Sequence, residues 1–497
     1  MSMISGRKAR GGGSRARGAA SATGAPTTSR ARRTAVRALP VAAAAGMVAL
    51  AVPAAAPAAV SHARPATAVP DISRPILTGK QLPAPLTTAQ CLAQIGINCY
   101  TPVQYRTAYN LNPLYKRGVT GRGKTIVIVD SYGFKGIKNE LQRFDNAFNI
   151  PAPPSFKIIA PVGAIPPFAP KVRPVMVGWA QETSLDVEYA HAMAPGANIL
   201  LVETPVAETI GVTGFPKIVT AENYVIDHHL GNVMTQSFAA PEQTFPNAAS
   251  LLALRGSFKN AAAHGVTMLA ASGDQGPSGP KTLTPQGFAA TFYLRRVAEW
   301  PSDDPLVTGI GGLQLNLDAR GNRTAPDQVW NDTALFGSPA AGGGGRSSIF
   351  ARPSYQDSVA STVGSSRGFP DISMSAAVNG AALVYLDKDA AQGAAGFYLI
   401  GGTSEASPEF AGIIAIADQL AGHCLGLINP ALYAMEAAGV PGLVDVTVGT
   451  NTVTFPQNGA THTVRGFNAV DGYDLSTGVG TINAAKFVPE LVAWDHS

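Results

Sequence analysis

One serine and three acids in this chain are spaced for acyl-transfer chemistry. The serine is Ser404, within "IGGTSEASPEFAGIIAIADQL" (400–420). Gly401 and Gly402 permit a tight turn, and Thr403 or Ser404 can cap the first turn of the apolar helix that follows. The positive end of that helix favours negative charge developing at the serine. Pro408 falls near enough to the helix start for its missing N–H to cost little. A serine nucleophile needs a base, and the histidines are badly placed to supply one. His228 and His229 lie in a polar stretch, His264 reads as a helix C-terminal residue, and His191 reads as packing on an alanine-rich helix. The G-x-S-x-G elbow is absent because position 406 is Ala.

Glu182 and Asp186, in "GWAQETSLDVEYAHAMAPGANI" (178–199), offer another base. At i, i+4 they share one helix face, with Trp179 and Tyr189 as apolar bulk. Arg173 is the only cation between Lys171 and Lys217. An uncompensated carboxylate pair beside apolar groups shares a proton, with one pKa raised, which suits a base for serine at acidic pH. Asp274 follows an apolar strand in the glycine-flanked turn "AASGDQG" (270–276). Kept protonated in a dry site, an aspartic acid can donate a hydrogen bond to an oxyanion. Each residue also has a plainer use, as helix cap, solvated acidic face or turn former.

The elements that must position these groups alternate. Short apolar runs at 125–130, 197–203, 232–237, 266–272 and 305–312 read as strands buried on both faces. Helix-like stretches at 138–148, 183–193, 247–265 and after Ser404 separate them. Such alternation predicts βαβ units, a mainly parallel sheet and right-handed crossovers. Functional residues then belong beyond the C-terminal ends of strands, where Asp130, Asp274 and Gly311-Gly312 fall.

The chain has 497 residues, 46 % hydrophobic and 14 % charged, which fits a globular protein with a large core. Its formal net charge of +5 misleads. Residues 1–69 hold ten of the 37 basic residues and no acid, so the remainder carries 27 basic against 32 acidic groups. Nucleic acid is therefore not an expected partner. Arginines crowd 7–37, an apolar run covers 41–60, and small-residue patterns such as Ala56-Pro57-Ala58 and Ala66-Thr67-Ala68 follow. This predicts an export leader over 1–68, a secreted product and no lasting membrane association; the alternative is a single membrane anchor, against which Pro53, Pro57 and the dominance of alanine over leucine speak. Arg32-Arg33 is a loose match to a twin-arginine signal. A Pro/Ala-rich linker is expected over 69–95 and the functional domain over 96–497. Cys91 and Cys99 suit a small disulfide loop in an exported protein, which leaves Cys424 as a buried, inert thiol.

Taken together, several segments resemble the sedolisins, the serine-carboxyl peptidases. In order they are "TPVQYRTAYN", the E-x-x-x-D helix with "APGANI", "ASGDQG", "GGGGRSSIFARPSYQ", "RGFPDIS", "GGTSEASPEFAGI", "LINPALY" and "GYDLSTGVGT". The resemblance runs over about residues 98–490. It implies an α/β, subtilisin-like three-layer fold, with helices on both faces of a mainly parallel central sheet. It implies Ser404 as nucleophile, Glu182 as general base, Asp186 as the acid orienting Glu182 and Asp274 as oxyanion partner. It also implies one structural calcium ion, with Asp445 and Asp474 as carboxylate ligands and backbone oxygens from Val446, Val470 and Gly472, a donor set of the hard kind calcium takes. The loop between those acids is long for the family.

Three features depart from the family pattern. Only residues 69–97 separate the expected cleavage region from the first family-like segment, where the family carries a large propeptide; acid control is expected to be missing or to come from a helper chain. Gly311-Gly312-Leu313 stands where Gly-Gly-Thr is usual. Asp130 sits where subtilisins hold the aspartate that orients histidine, and reads as an extension of the carboxylate network. The expected function is that of a monomeric, secreted, acid-active endopeptidase acting on proteins or peptides. Alternatives are a tripeptidyl-peptidase, an Asp130–His–Ser404 triad enzyme, or an inactive exported binding protein.

Overall fold

The computed structural model describes residues 73–76 and 84–495. The chain divides after His62, and all described residues belong to the second unit, 63–497. The expected leader, 1–68, lies outside the described residues. The expected linker is corrected at its C-terminal end. Thr87 and Gln90 form a reciprocal capping box that starts helix α1 (Thr88–Ile95), and a Cys91–Cys99 disulfide ties α1 to the strand Cys99–Tyr100. Capping chemistry and a covalent link order a segment whose composition alone reads as extended chain.

The central sheet contains β1 (Thr125–Ser131), β2 (Phe156–Ile159), β3 (Asn198–Thr204), β4 (Val233–Gln236), β5 (Thr267–Ala271), β6 (Thr308–Gln314), β7 (Gln328–Val329) and β8 (Ile372–Ser375). Its order is β7-β6-β5-β4-β1-β3-β2, with β8 also paired to β6. Every pairing is parallel except β6 with β7. On β1 the side chains alternate between two apolar cores. Ile126 and Ile128 enter one, Val127 and Val129 the other. Both faces of the sheet are therefore covered, which is why these strands read as unbroken apolar runs.

Helices α2 (Ile137–Phe148), α3 (Val175–Met193) and α6 (Thr403–Ala421) pack into the first core. Helices α4 (Phe215–Asp227) and α5 (Gly256–His264) pack into the second. Helix α3 starts at Val175, well before the expected 183, and nearly all of it is buried. Buried polar residues such as Glu182, Asp186 and Glu188 are interspersed with the apolar ones, so no apolar stripe is left to read on a helix buried on nearly all sides. The expected helix over 247–265 breaks into Ala248–Leu252 and Gly256–His264. A second sheet orders Ser73–Ile76, Gly396–Gly401, Ala381–Leu386 and Cys99–Tyr100; its strand Gly396–Gly401 runs directly into α6. Gly311 and Gly312 lie within β6, not beyond it, where a Cβ would meet Ser373 Oγ at 2.3 Å or Ala376 Cβ at 2.8 Å. They serve close packing. Among the described residues no helix is long and apolar enough to cross a membrane.

Candidate active site

Ser404 is the second residue of α6 and 3 % exposed. The turn before it depends on Gly402, whose φ is +135°. A Cβ there would fall 2.7 Å from Asp274 Oδ2, so the position is closed to a side chain by both backbone and space. Neither Thr403 nor Ser404 caps α6. Asp274 does so from another loop: its Oδ1 accepts from Thr403 N–H (2.7 Å) and from Thr403 Oγ1 (2.9 Å). Gly273 N–H in turn donates to Thr403 Oγ1 at 3.1 Å. The β5 strand end and the start of α6 are thus locked together, with Asp274 and Ser404 on one cleft.

Pro408 lies inside α6, past its first turn. Its missing N–H would have bonded the carbonyl four residues back, that of Ser404. Ser237, just past β4, comes within 3.4 Å of that carbonyl oxygen and donates to Asp186 Oδ1 at 2.8 Å. Proline in the helix leaves the Ser404 backbone open to a side chain that also touches the acid pair.

Glu182 and Asp186 are fully buried on α3. Burial pushes the Glu182 carboxyl well above its usual range; the Ser404 and Ser237 hydroxyls partly offset this, while Asp130 and Asp274 add to it. Among the described residues no hydroxyl reaches either Glu182 oxygen with normal hydrogen-bond geometry, so Ser404 faces the carboxyl without a closed bond. Catalytic contacts commonly tighten only when substrate binds. Asp186 is also raised, by burial first, then by the repulsion of Glu182 and Asp130. Asp130, at the end of β1, is raised to about 7 by burial, with Glu203 adding repulsion and the Thr183 hydroxyl opposing it. Three carboxyls so placed hold protons in common.

His191 is fully buried, with Nε2 2.9 Å from the Pro151 carbonyl oxygen and 3.3 Å from Asp145 Oδ1. Among the described residues no histidine lines the Ser404 cleft. Cys424 is half-buried rather than buried, and its sulfur accepts from Asn232 Nδ2 at 2.8 Å. Sequence reasoning overlooked Ser237; its place past the C-terminal end of a central strand is the signal that could have found it.

The residues expected to hold calcium converge in part. Gly472 N–H donates to Asp445 Oδ2 (2.8 Å) and Val470 N–H to Asp474 Oδ2 (3.1 Å), so both carboxylates meet the 470–474 turn. Asp474 Oδ1 also accepts from Ser476 and Thr477. Val446 is buried next to exposed Asp445. Two hard carboxylates on a tight turn suit calcium in kind; here Asp445 accepts from one backbone amide, and Asp474 from backbone amides and two hydroxyls. Among the described residues no group of three or more His, Cys, Asp or Glu is placed to hold a metal.

A mainly parallel sheet between helical layers is a subtilisin-like α/β architecture, and a helix-borne serine within it faces buried carboxyls. The chain is similar to proteins of the sedolisin family. It is 29 % identical to kumamolisin of Bacillus sp. (strain MN-32) over 79 % of its own length and 64 % of that protein's. It is 33 % identical to sedolisin of Pseudomonas sp. (strain 101) over 46 % of its length and 35 % of the relative's. Human tripeptidyl-peptidase 1 is 30 % identical over 63 % of this chain and 52 % of the relative. The chain thus spans less than two thirds of the length of each. A solved Pseudomonas sedolisin, a serine-carboxyl proteinase complexed with two molecules of pseudo-iodotyrostatin, superposes with a TM-score of 0.64 at 26 % identity, covering 80 % of this chain and 99 % of that one. No family model matches the chain.

Proposed function

We propose that this chain is a serine-carboxyl peptidase that cleaves peptide bonds in proteins or peptides at acidic pH. The observation that carries the reading is the meeting of Ser404, Glu182 and Asp274 from three separate elements, with Asp274 capping the helix that presents the serine. In the reaction, Ser404 Oγ attacks the scissile carbonyl while its proton passes to Glu182 in the form in which the coupled carboxyl group has given up one proton. Asp186, tied to Ser237, steadies the pair. Protonated Asp274 donates to the oxyanion. Glu182 then gives its proton to the leaving amine, and water repeats the sequence on the acyl-enzyme. Asp130 joins the same proton-sharing group.

Ser404→Ala should abolish cleavage of an acid-denatured protein, by about 10³-fold or more as for other nucleophile removals, with an unchanged melting temperature. Residual turnover near the parent level, or a pH–rate maximum well above neutrality, would remove the reading. Endopeptidase action is the favoured form; the relation to a tripeptidyl-peptidase makes release of tripeptides the second form. Mass spectrometry of the products of a long, N-terminally blocked peptide separates the two.

Export is part of the proposal, supported by the Arg-rich and apolar leader composition and by the Cys91–Cys99 disulfide. So is a structural calcium ion at Asp445, Asp474 and the 470–474 turn, which would neutralise the two carboxylates and brace that turn. Excess chelator should then lower the melting temperature by several degrees, and added calcium should restore it. A melting curve indifferent to both excludes the ion.

A further inference from the structure

The cleft that holds Ser404 and Asp274 has a third chemical group on its wall. Glu299, beside the pairing of Glu299-Trp300 with Ala240-Pro241, lines the same cleft and is 3 % exposed. Its side chain runs past two glycines. A Cβ on Gly273 would lie 3.1 Å from Glu299 Cγ, and one on Gly279 would lie 2.3 Å from Glu299 Oε1. Both positions lack side chains where the carboxyl needs space. Gly273 directly precedes Asp274 and donates to the Thr403 hydroxyl, so Glu299 stands against the loop that would hold the oxyanion.

That position selects which part of a substrate Glu299 meets. The carbonyl attacked by Ser404 must sit between its hydroxyl and Asp274. The side chain of the residue that owns this carbonyl starts two bonds away, and the cleft wall at Gly273 is within its reach. The cleft lining carries two acids, Asp274 and Glu299, and no lysine or arginine among the described residues. Near Glu299, Tyr293 carries the exposed Arg295 over its ring at 5.9 Å, outside that lining. A buried carboxyl in an otherwise cation-free cleft favours a substrate group that brings positive charge and donors.

We infer that Glu299 sets the specificity of this chain, favouring arginine or lysine on the residue whose carbonyl Ser404 attacks. The inference deepens the peptidase reading above and rests on it. The test uses peptides that differ only at that residue, as Arg, Lys, norleucine or Glu, with the full chain and its Glu299→Gln and Glu299→Ala variants. The expected result is a kcat/KM for Arg and Lys at least tenfold above norleucine, at the pH of greatest turnover. In both variants that ratio should fall toward one, and the Glu peptide should gain relative to the others. Comparable rates for all four peptides with the parent chain, or an unchanged ratio in both variants, would overturn the inference. The same peptides titrated calorimetrically against Ser404→Ala give a readout independent of turnover. Tighter binding of Arg than norleucine, lost on adding Glu299→Gln, supports the inference even if no peptide is cleaved. Equal affinities sink it. A parent chain that cleaves nothing defeats the peptidase reading, whereas cleavage without preference defeats only the role of Glu299.

Discussion

At the scale of single residues, the site runs on carboxyls kept from water. Among the described residues no ion pair reaches Glu182 or Asp186, and burial is the first cause of their raised pKa values; Asp130 and Asp274 add repulsion at Glu182, and Glu182 and Asp130 add it at Asp186. Under the proposed reaction, Glu182 is useful as a base only where the medium is acidic enough to keep its neighbours protonated. Ser237 is the small polar link in the set: it bonds Asp186 and reaches the Ser404 carbonyl. Ser237→Ala removes a hydroxyl that lowers both acids' pKa values. The acidic limb of the pH–rate profile should therefore move to higher pH, and kcat should fall about tenfold, the size of one lost charge-assisted hydrogen bond. Ser237→Thr should restore part of both. A profile superimposable on the parent's would show that Ser237 only packs. Glu182, Asp186, Asp274 and Ser404 were singled out as candidates by residue type, spacing and the family resemblance. Ser237 was not, because a lone serine after a strand carries no periodic signal.

At the scale of elements, α6 is built around a fault. Pro408 breaks the hydrogen-bond ladder at the carbonyl of Ser404, and the helix is capped by an aspartate from a distant loop. Pro408→Ala restores an N–H, which would close onto Ser404 O and compete with Ser237. A proline in a helix interior costs about 3 kcal/mol, so the variant should melt at the same temperature or higher while its kcat falls several-fold. A variant that gains stability with full activity would show that the opened carbonyl has no part in positioning the serine. The long loop between Asp445 and Asp474 also proves to be an element. It forms the hairpin Val453–Gln457/Ala460–Val464, which holds the hairpin Pro280–Leu283/Ala289–Phe292 through Phe455 against Phe292 (5.3 Å) and Gln457 on the Phe292 backbone. Pro280 and Leu283 line the Ser404 cleft, so a segment remote in sequence supports a wall of the site.

At the scale of the whole molecule, the buried carboxyls set the pH range of the fold. Burial raises Asp130 and Glu203 to about 7, and Glu140, Glu222 and Glu405 to about 8. The unfolded values lie near 4. Between these limits the native state binds more protons than the unfolded chain, so stability falls as pH rises. The melting temperature should be highest near or below pH 4, as far as these groups decide it, and should decline steadily to pH 8. A melting temperature that climbs over that range would contradict the burial of these groups in neutral form. The alternation of strand and helix was determined by the sequence alone, and the subtilisin-like class followed from the family resemblance that its motifs carry. Those depend on local apolar patterning and on residue types, both written along the chain. Only the tertiary structure decided that Asp274 caps α6, that Pro408 opens a carbonyl to Ser237, and that Glu299 enters the cleft. Each of these pairs groups from 25 to 171 positions apart, and no local propensity encodes which distant groups the close packing of two cores brings together.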